Sequence, residues 1–268
     1  LGFSRISFGD QTFNDKSLVR LHRSHNREDA INAVQWAFKE GFQDINIDLI
    51  YGLPNQTIDE INKNLDIVSI LPINHISTYG LQVEKGTRLY HLVDKGVISL
   101  PDESTEDTMY DMMMQGIQDL GFERYEISNF AKDKAYSKHN LKYWQYCDYL
   151  GFGAGAHSFF DNVRRANNRN VMPYARKIDC FEFPVVDEEV IDSKRAREDY
   201  CFLSLRTKWG INTVDFADRF NIRLEDIYGS ILDNLIEKNL LIQDGDLYYL
   251  TPEGAKHGNY VFSQFIKE

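Results

Sequence analysis

The chain has 268 residues, 43% of them hydrophobic and 26% charged, enough for one large domain or two modest ones around a sizeable core. Its net charge of −11 argues against a nucleic-acid backbone as its main partner. No run of about 18 apolar residues is available to span a bilayer, no charged-then-apolar leader opens the chain, and the 3 scattered cysteines make neither a disulfide framework nor a compact metal run.

Those cysteines, Cys147, Cys180 and Cys201, read as mostly buried free thiols in a reducing cytoplasm. The opening residues Leu1 to Phe8 read as a strand with Ile6 and Phe8 on one face, and the abrupt start suggests a preceding portion. Asn26 then caps a helix, with Asp29 at its third position and Ala30, Ile31, Val34, Ala37 and Phe38 as its apolar stripe; Gly41 ends it. An apolar strand follows from Ile45 to Tyr51. Thr57 and Glu60 form a capping box for a helix that buries Ile58, Ile61, Leu65 and Val68. A third strand runs from His75 to Gln82. Strands apolar on both faces and alternating with helices predict parallel βαβ units.

A long helix is predicted from about Glu103 to Leu120, with Met109, Met113, Ile117 and Leu120 inward and the methionine run 112–114 filling core. A strand near Arg124–Ile127 and an aromatic, glycine-rich stretch from Tyr143 to Phe160 come next. From about Val185 the texture turns helical: one helix over 194–205, a short one from Thr213, and one burying Leu224, Ile227, Ile231 and Leu235. Leu241 to Leu250 is a hairpin with an Asp-Gly turn, and Thr251-Pro252 opens a last helix. Helices followed by a hairpin resemble a winged helix. Residues 185–268 hold 16 acidic and 10 basic residues, which favours a docking or structural module over DNA binding. The predicted architecture is α/β: part of a βα barrel with its extension over 1–184, then a mainly helical domain over 185–268.

Three parallel strands cannot close a barrel, so the same closure argument calls for roughly three more strands before Leu1. In such folds ligands sit at the carboxyl ends of the strands. Gln11, Asp48 and Gln82 fall there. A carboxylate amid Ile47, Leu49 and Ile50 is costly unless it is paired with a barrel arginine or bound to a ligand hydroxyl or amine. Arg23 is suited to be that partner, or to grip a ligand carboxylate.

Six segments carry a resemblance: Arg5-Ile-Ser-Phe-Gly-Asp-Gln-Thr-Phe13, Leu21-His-Arg-Ser-His25, Ile47-Asp-Leu-Ile-Tyr-Gly-Leu-Pro-Asn-Gln-Thr57, Tyr125-Glu-Ile-Ser-Asn-Phe-Ala131, His139-Asn-Leu-Lys-Tyr-Trp144 and Leu150-Gly-Phe-Gly-Ala-Gly-Ala-His-Ser158. Together they resemble the radical S-adenosylmethionine proteins of the oxygen-independent coproporphyrinogen III oxidase group, and within it the HemW-type haem chaperones. The resemblance implies a partial (β/α)6 barrel with a C-terminal helical domain. It implies a [4Fe–4S] cluster on a Cys-x3-Cys-x2-Cys loop, which belongs to the part expected before Leu1; no metal ligands are expected in this chain. It makes Gln11, Arg23 and Asp48 binders of S-adenosylmethionine, with Gln82 and His157 at further contact positions. Asp10 stands where the family has a small apolar residue.

The resemblance further implies haem or porphyrin as ligand and haem-accepting proteins as partners, with peripheral contact to membrane respiratory proteins, no nucleic acid, and a cytoplasmic location. His139, Tyr143 and Trp144 are its haem candidates: imidazole can ligate iron and the two rings can stack on the macrocycle. Against this stands a His139 that caps a turn beside two core aromatics, and His22, His25 and His157 are rival ligands. The oxidase reading, decarboxylation of porphyrinogen propionates, and an acidic winged-helix interaction protein are the alternatives to a haem carrier.

Overall fold

The computed structural model describes residues 2–266, in two compact units, Leu1–Tyr136 and Ser137–Glu268. The first unit runs β1 (Arg5–Gln11), α1 (Asp15–Arg20), α2 (Arg27–Lys39), β2 (Asp44–Tyr51), α3 (Ile58–Ile70), β3 (His75–Gly80), α4 (Arg88–Asp94), α5 (Glu103–Asp119), β4 (Glu123–Arg124) and β5 (Asn129–Ala131). Its sheet has the order β1-β2-β3-β5-β4; β1, β2 and β3 are parallel, and β5 and β4 return antiparallel. Asn26 and Asp29 cap α2 reciprocally, as the sequence pattern requires.

Side-chain alternation sorts this sheet into two different faces. Ile45, Ile47 and Leu49 of β2 and Ile76 of β3 pack against Val34 of α2, Ile61 and Val68 of α3, and Met109, Met113 and Ile117 of α5. The methionine run is core filling. The opposite face carries Asn46, Asp48, His75 and Ser77, so the expected apolarity on both faces holds for one only. Phe38, read as part of the buried stripe of α2, is exposed, because the helix turns only its 30/34/37 edge inward. The Thr57–Glu60 capping box is half formed. Thr57 caps the helix, but the Glu60 carboxylate reaches instead to Thr12 Oγ1 (2.9 Å) and Asn14 Nδ2 (3.0 Å), tying α3 to the end of β1.

The second unit runs α6 (Lys138–Trp144), β6 (His157–Phe160), β7 (Val163–Asn167), α7 (Val171–Asp179), β8 (Val185–Val190), α8 (Ser193–Leu205), β9 (Ile211–Asn212), α9 (Thr213–Phe220), α10 (Leu224–Glu237), β10 (Leu241–Asp244), β11 (Leu247–Leu250), α11 (Pro252–Lys256) and α12 (Gly258–Phe265). Two antiparallel sheets, β6-β7-β8 and β10-β11-β9, belong to it. The stretch from Val185, expected to be helical, begins with β8, which pairs with β7. On α10 the buried positions are Leu224, Tyr228, Leu232 and Leu235; Ile227 and Ile231 flank that stripe half-buried. The hairpin turn is Gly245-Asp246, since Asp244 and Leu247 are already paired. Of the cysteines only Cys201 is buried; Cys147 and Cys180 are exposed, which corrects the expectation of mostly buried thiols.

Candidate functional site

The end of β1 shapes the first unit's site. The register to β2 slips between Phe8 and Gln11, and Gln11 takes φ +67° with its side chain buried. A β-carbon on Gly9 would lie 3.2 Å from Gln11 Nε2 and 3.9 Å from Arg23 Nη2. The amide of Gln11 and the guanidinium of Arg23 therefore both reach over Gly9, where any side chain would crowd the amide. Phe8 and Ile47 are cross-strand partners on the helix-covered side, so Gly9 and Asp48 share the opposite, polar side. One face of two adjacent strands thus presents an amide, a guanidinium and a carboxylate. That set fits a ligand with a carboxylate, hydroxyls and a positive centre.

Asp48 is oriented by residues that sequence reasoning did not single out. Asn46 Nδ2 donates to Asp48 Oδ1 at 2.8 Å. With its amide nitrogen so used, Asn46 Oδ1 accepts from His75 Nδ1 at 2.6 Å and from Ser77 Oγ at 3.2 Å. His75 Nε2 is then the acceptor of the Tyr125 hydroxyl at 2.8 Å. The polarity runs one way, from Tyr125 through His75 and Asn46 to the carboxylate. The expected alternative, an arginine paired with Asp48, is not what holds it: among the described residues Asp48 accepts from Asn46 and makes no ion pair. The signal for this chain was period two in Asn46-x-Asp48 and His75-x-Ser77 within strands otherwise apolar.

Asp10 is 3% exposed, and its Oδ2 has no hydrogen-bond partner among the described residues. Burial, with the Asp48 carboxylate adding to it, pushes Asp10 up to about 7.

Gln82 lies beyond the end of β3 and is exposed, and His157 belongs to β6 of the second unit. In that unit α6 carries the haem candidates. Ser137, not His139, caps it. His139 and Tyr143, one turn apart, meet with Nε2 and hydroxyl 2.9 Å apart and their rings edge to face. Trp144 takes another direction: the Arg206 guanidinium lies 4.4 Å from its ring, and the indole helps line a cavity of about 790 Å³ with Tyr200, Trp209 and Arg219. Tyr143 lines a separate cavity of about 150 Å³ with Tyr146, Tyr149 and Phe159. The structure brings His139 and Tyr143 together and sets Trp144 apart.

Among the described residues no group of three or more His, Cys, Asp or Glu side chains could hold a metal ion, and the three cysteines do not gather. The residues present do not fit an iron–sulfur cluster. The Gln11–Arg23–Asp48 face does fit a sulfonium nucleoside, on the strength of its donor set: an amide and a guanidinium meeting over Gly9 and a carboxylate on the adjacent strand.

Comparison with known proteins bears on the family and the fold. The sequence model described as Radical SAM superfamily matches residues 1–68, and that described as HemN C-terminal domain matches 191–255. The curated protein "Heme chaperone HemW" of Bacillus subtilis is 37% identical over 267 residues, covering 100% of this chain and 70% of that protein. Its namesake in Lactococcus lactis is 34% identical over 98% of this chain and 69% of its own length. That of Haemophilus influenzae is 33% identical over 100% and 68%. The solved structure of coproporphyrinogen III oxidase (HemN) from Escherichia coli, described as a radical SAM enzyme, superposes with a TM-score of 0.81 at 18% identity. It covers 98% of this chain, which spans 64% of that structure; at this identity the likeness establishes the fold alone. The chain belongs to the HemW family, on a radical SAM fold of the HemN kind followed by a HemN C-terminal domain.

Proposed function

We propose that the protein binds haem and passes it to haem-dependent acceptor proteins in the cytoplasm. The observation that carries this reading is identity of 33–37% along essentially the whole chain to proteins named heme chaperone HemW. His139 supports it: the imidazole is exposed on α6, with a single phenol hydroxyl at its Nε2. Ligation of haem iron by Nε2 would replace that hydrogen bond, and the Tyr143 ring, edge-on to His139, would border the macrocycle.

S-adenosylmethionine is the second ligand we assign. Arg23 would take its carboxylate, Gln11 its polar edge, and Asp48 a ribose hydroxyl or the positive end of the ligand; the carboxyl of Asp10 adds to a setting that suits a cation. Bound at an iron–sulfur cluster, this ligand supplies an adenosyl radical; the residues of this chain bind and orient it.

The test is haem titration followed by the Soret band. The unaltered chain is expected to bind haem, and His139→Ala to lose at least tenfold in affinity. Transfer to a haem-depleted acceptor should follow. Absence of a Soret shift with the unaltered chain would overturn the carrier reading.

A further inference from the structure

The residue after the C-cap of α6 combines two unfavourable features. Tyr146 holds φ +53°, the left-handed conformation that usually falls to glycine at this place. Its side chain is 6% exposed, and its hydroxyl is buried with no hydrogen-bond partner among the described residues. Burial pushes the phenol up to about 12, so at neutral pH it is an uncharged donor. A buried donor without a partner carries a desolvation cost that a bound acceptor removes.

Room for an acceptor lies in the cavity of about 150 Å³ that Tyr146 lines with Tyr143, Tyr149, Phe159 and Arg164. Its walls are aromatic: the Tyr143 and Tyr149 rings meet edge to face at 4.6 Å, and the Tyr146 and Phe159 rings lie 4.9 Å apart. Cys147, which is exposed, stands at its rim. The space is too small for a macrocycle and suits a short side group. Two guanidiniums face the phenol. Arg164 lines the cavity itself, and Arg219 lies 5.5 Å from the Tyr146 ring, with Nη1 donating to the Tyr146 carbonyl at 3.4 Å. Arg219 makes no ion pair among the described residues. The acidic groups facing Tyr146 are Asp199, which Arg164 holds at 2.6 Å, and the exposed Asp148.

Tyr143 joins this cavity to the haem candidate. Its ring meets the His139 ring at 5.0 Å and meets Tyr149 in the cavity wall. A macrocycle held at His139 thus has the cavity next to it, and the charged side groups of haem are its two propionates. We propose that the cavity is the subsite for one haem propionate, with Tyr146 as its binding residue: the phenol O–H donates to the carboxylate, and Arg164 and Arg219 supply the positive field. This inference rests on the haem reading and adds what selects the ligand, a porphyrin with a free carboxylate over one without.

Soret titration with haem and with haem dimethyl ester tests it. The unaltered chain is expected to bind haem about tenfold more tightly than the diester, the size of effect a hydrogen bond to a charged acceptor supplies. Tyr146→Phe should lower haem affinity about tenfold and change diester affinity less than about twofold. The same variant removes a buried hydroxyl that has no partner, so Tm should hold or rise while haem affinity falls. A purely structural Tyr146 would not separate the two readouts. Arg219→Gln should lower haem affinity about threefold, again with little effect on the diester. No Soret shift with the unaltered chain overturns the haem reading and the subsite with it. A Soret shift with equal affinity for haem and diester, or with full haem affinity in Tyr146→Phe, overturns the subsite alone.

Discussion

The Tyr125 hydroxyl lies 2.8 Å from His75 Nε2, closing the far end of the hydrogen-bonded chain that reaches Asp48. His75 is 1% exposed, and burial, with the charge of Arg5 adding to it, pulls it down to about 3. It is neutral in the folded state and would titrate near 6.5 when unfolded. Stability tied to His75 is therefore present above 6.5 and lost as pH falls toward 3, by up to about 5 kcal/mol. Tyr125→Phe leaves Nε2 buried and unpaired. It is expected to cost about 1–3 kcal/mol in urea unfolding at neutral pH; an unchanged midpoint would refute this account of the chain.

Asp10 acts with the opposite sign. Its folded pKa of about 7 lies above the ordinary 3.8, so the folded state holds a proton that the unfolded state releases. This contribution is greatest below about 3.8 and declines as pH rises toward 7, by up to about 4 kcal/mol, and the carboxyl stays costly at neutral pH because Oδ2 has no partner. Asp10→Val, which replaces the buried carboxyl by an apolar side chain, is expected to raise Tm at pH 7.5 and to leave stability steeper in pH between 4 and 7, because the His75 effect then acts unopposed. A lower Tm at pH 7.5 would show that the Asp10 carboxyl is supported in a way the structure does not reveal.

These two residues also show what the sequence makes legible. Ile45, Ile47 and Leu49 announce a buried strand by pattern, and the cap at Asn26 announces α2, because hydrophobic period and capping are local. Asp48 stands out in the same strand as a cost that must be met. What meets it does not show: His75 and Tyr125 lie far away in sequence and reach Asn46 only through the parallel pairing of β2 with β3 and the return of the chain at β5. The sheet β6-β7-β8 was missed for a different reason. Arg164 and Arg165 on β7 answer Glu189 and Glu188 on β8, so these two strands are charged and carry no apolar alternation. Glu60 read as a cap residue because its spacing from Thr57 is right, yet its carboxylate is claimed by Thr12 and Asn14.

The His139–Tyr143 contact makes a prediction about haem with a definite sign. If iron is ligated through Nε2, the hydrogen bond from Tyr143 must first break. That bond is partly exposed and worth about 1 kcal/mol. Tyr143→Phe keeps an aromatic ring at the macrocycle and removes the competing partner, so haem affinity is expected to rise about fivefold. Trp144→Phe, on a side chain stacked with Arg206 and directed elsewhere, should change haem affinity less than twofold. A Soret titration in which Tyr143→Phe weakens binding would mean that Tyr143, not His139, is the group the haem requires.

For the strand-end site the test is one of charge. S-adenosylmethionine carries a sulfonium and S-adenosylhomocysteine does not, while both carry the carboxylate assigned to Arg23. Arg23→Gln should therefore weaken both to a similar degree. Asp48→Asn should weaken the sulfonium ligand about tenfold more than the thioether, a difference of about 1.4 kcal/mol. Asn46→Leu leaves the Asp48 charge in place but frees it from the donor that fixes it, and breaks the link to His75. It is expected to lower affinity for both ligands less than Asp48→Asn lowers it for the sulfonium, and to erase little of the discrimination between them. Equilibrium dialysis of the chain against each ligand separates these outcomes. Equal losses for the two ligands in Asp48→Asn would remove Asp48 from the recognition of the positive centre and leave it a hydroxyl contact at most.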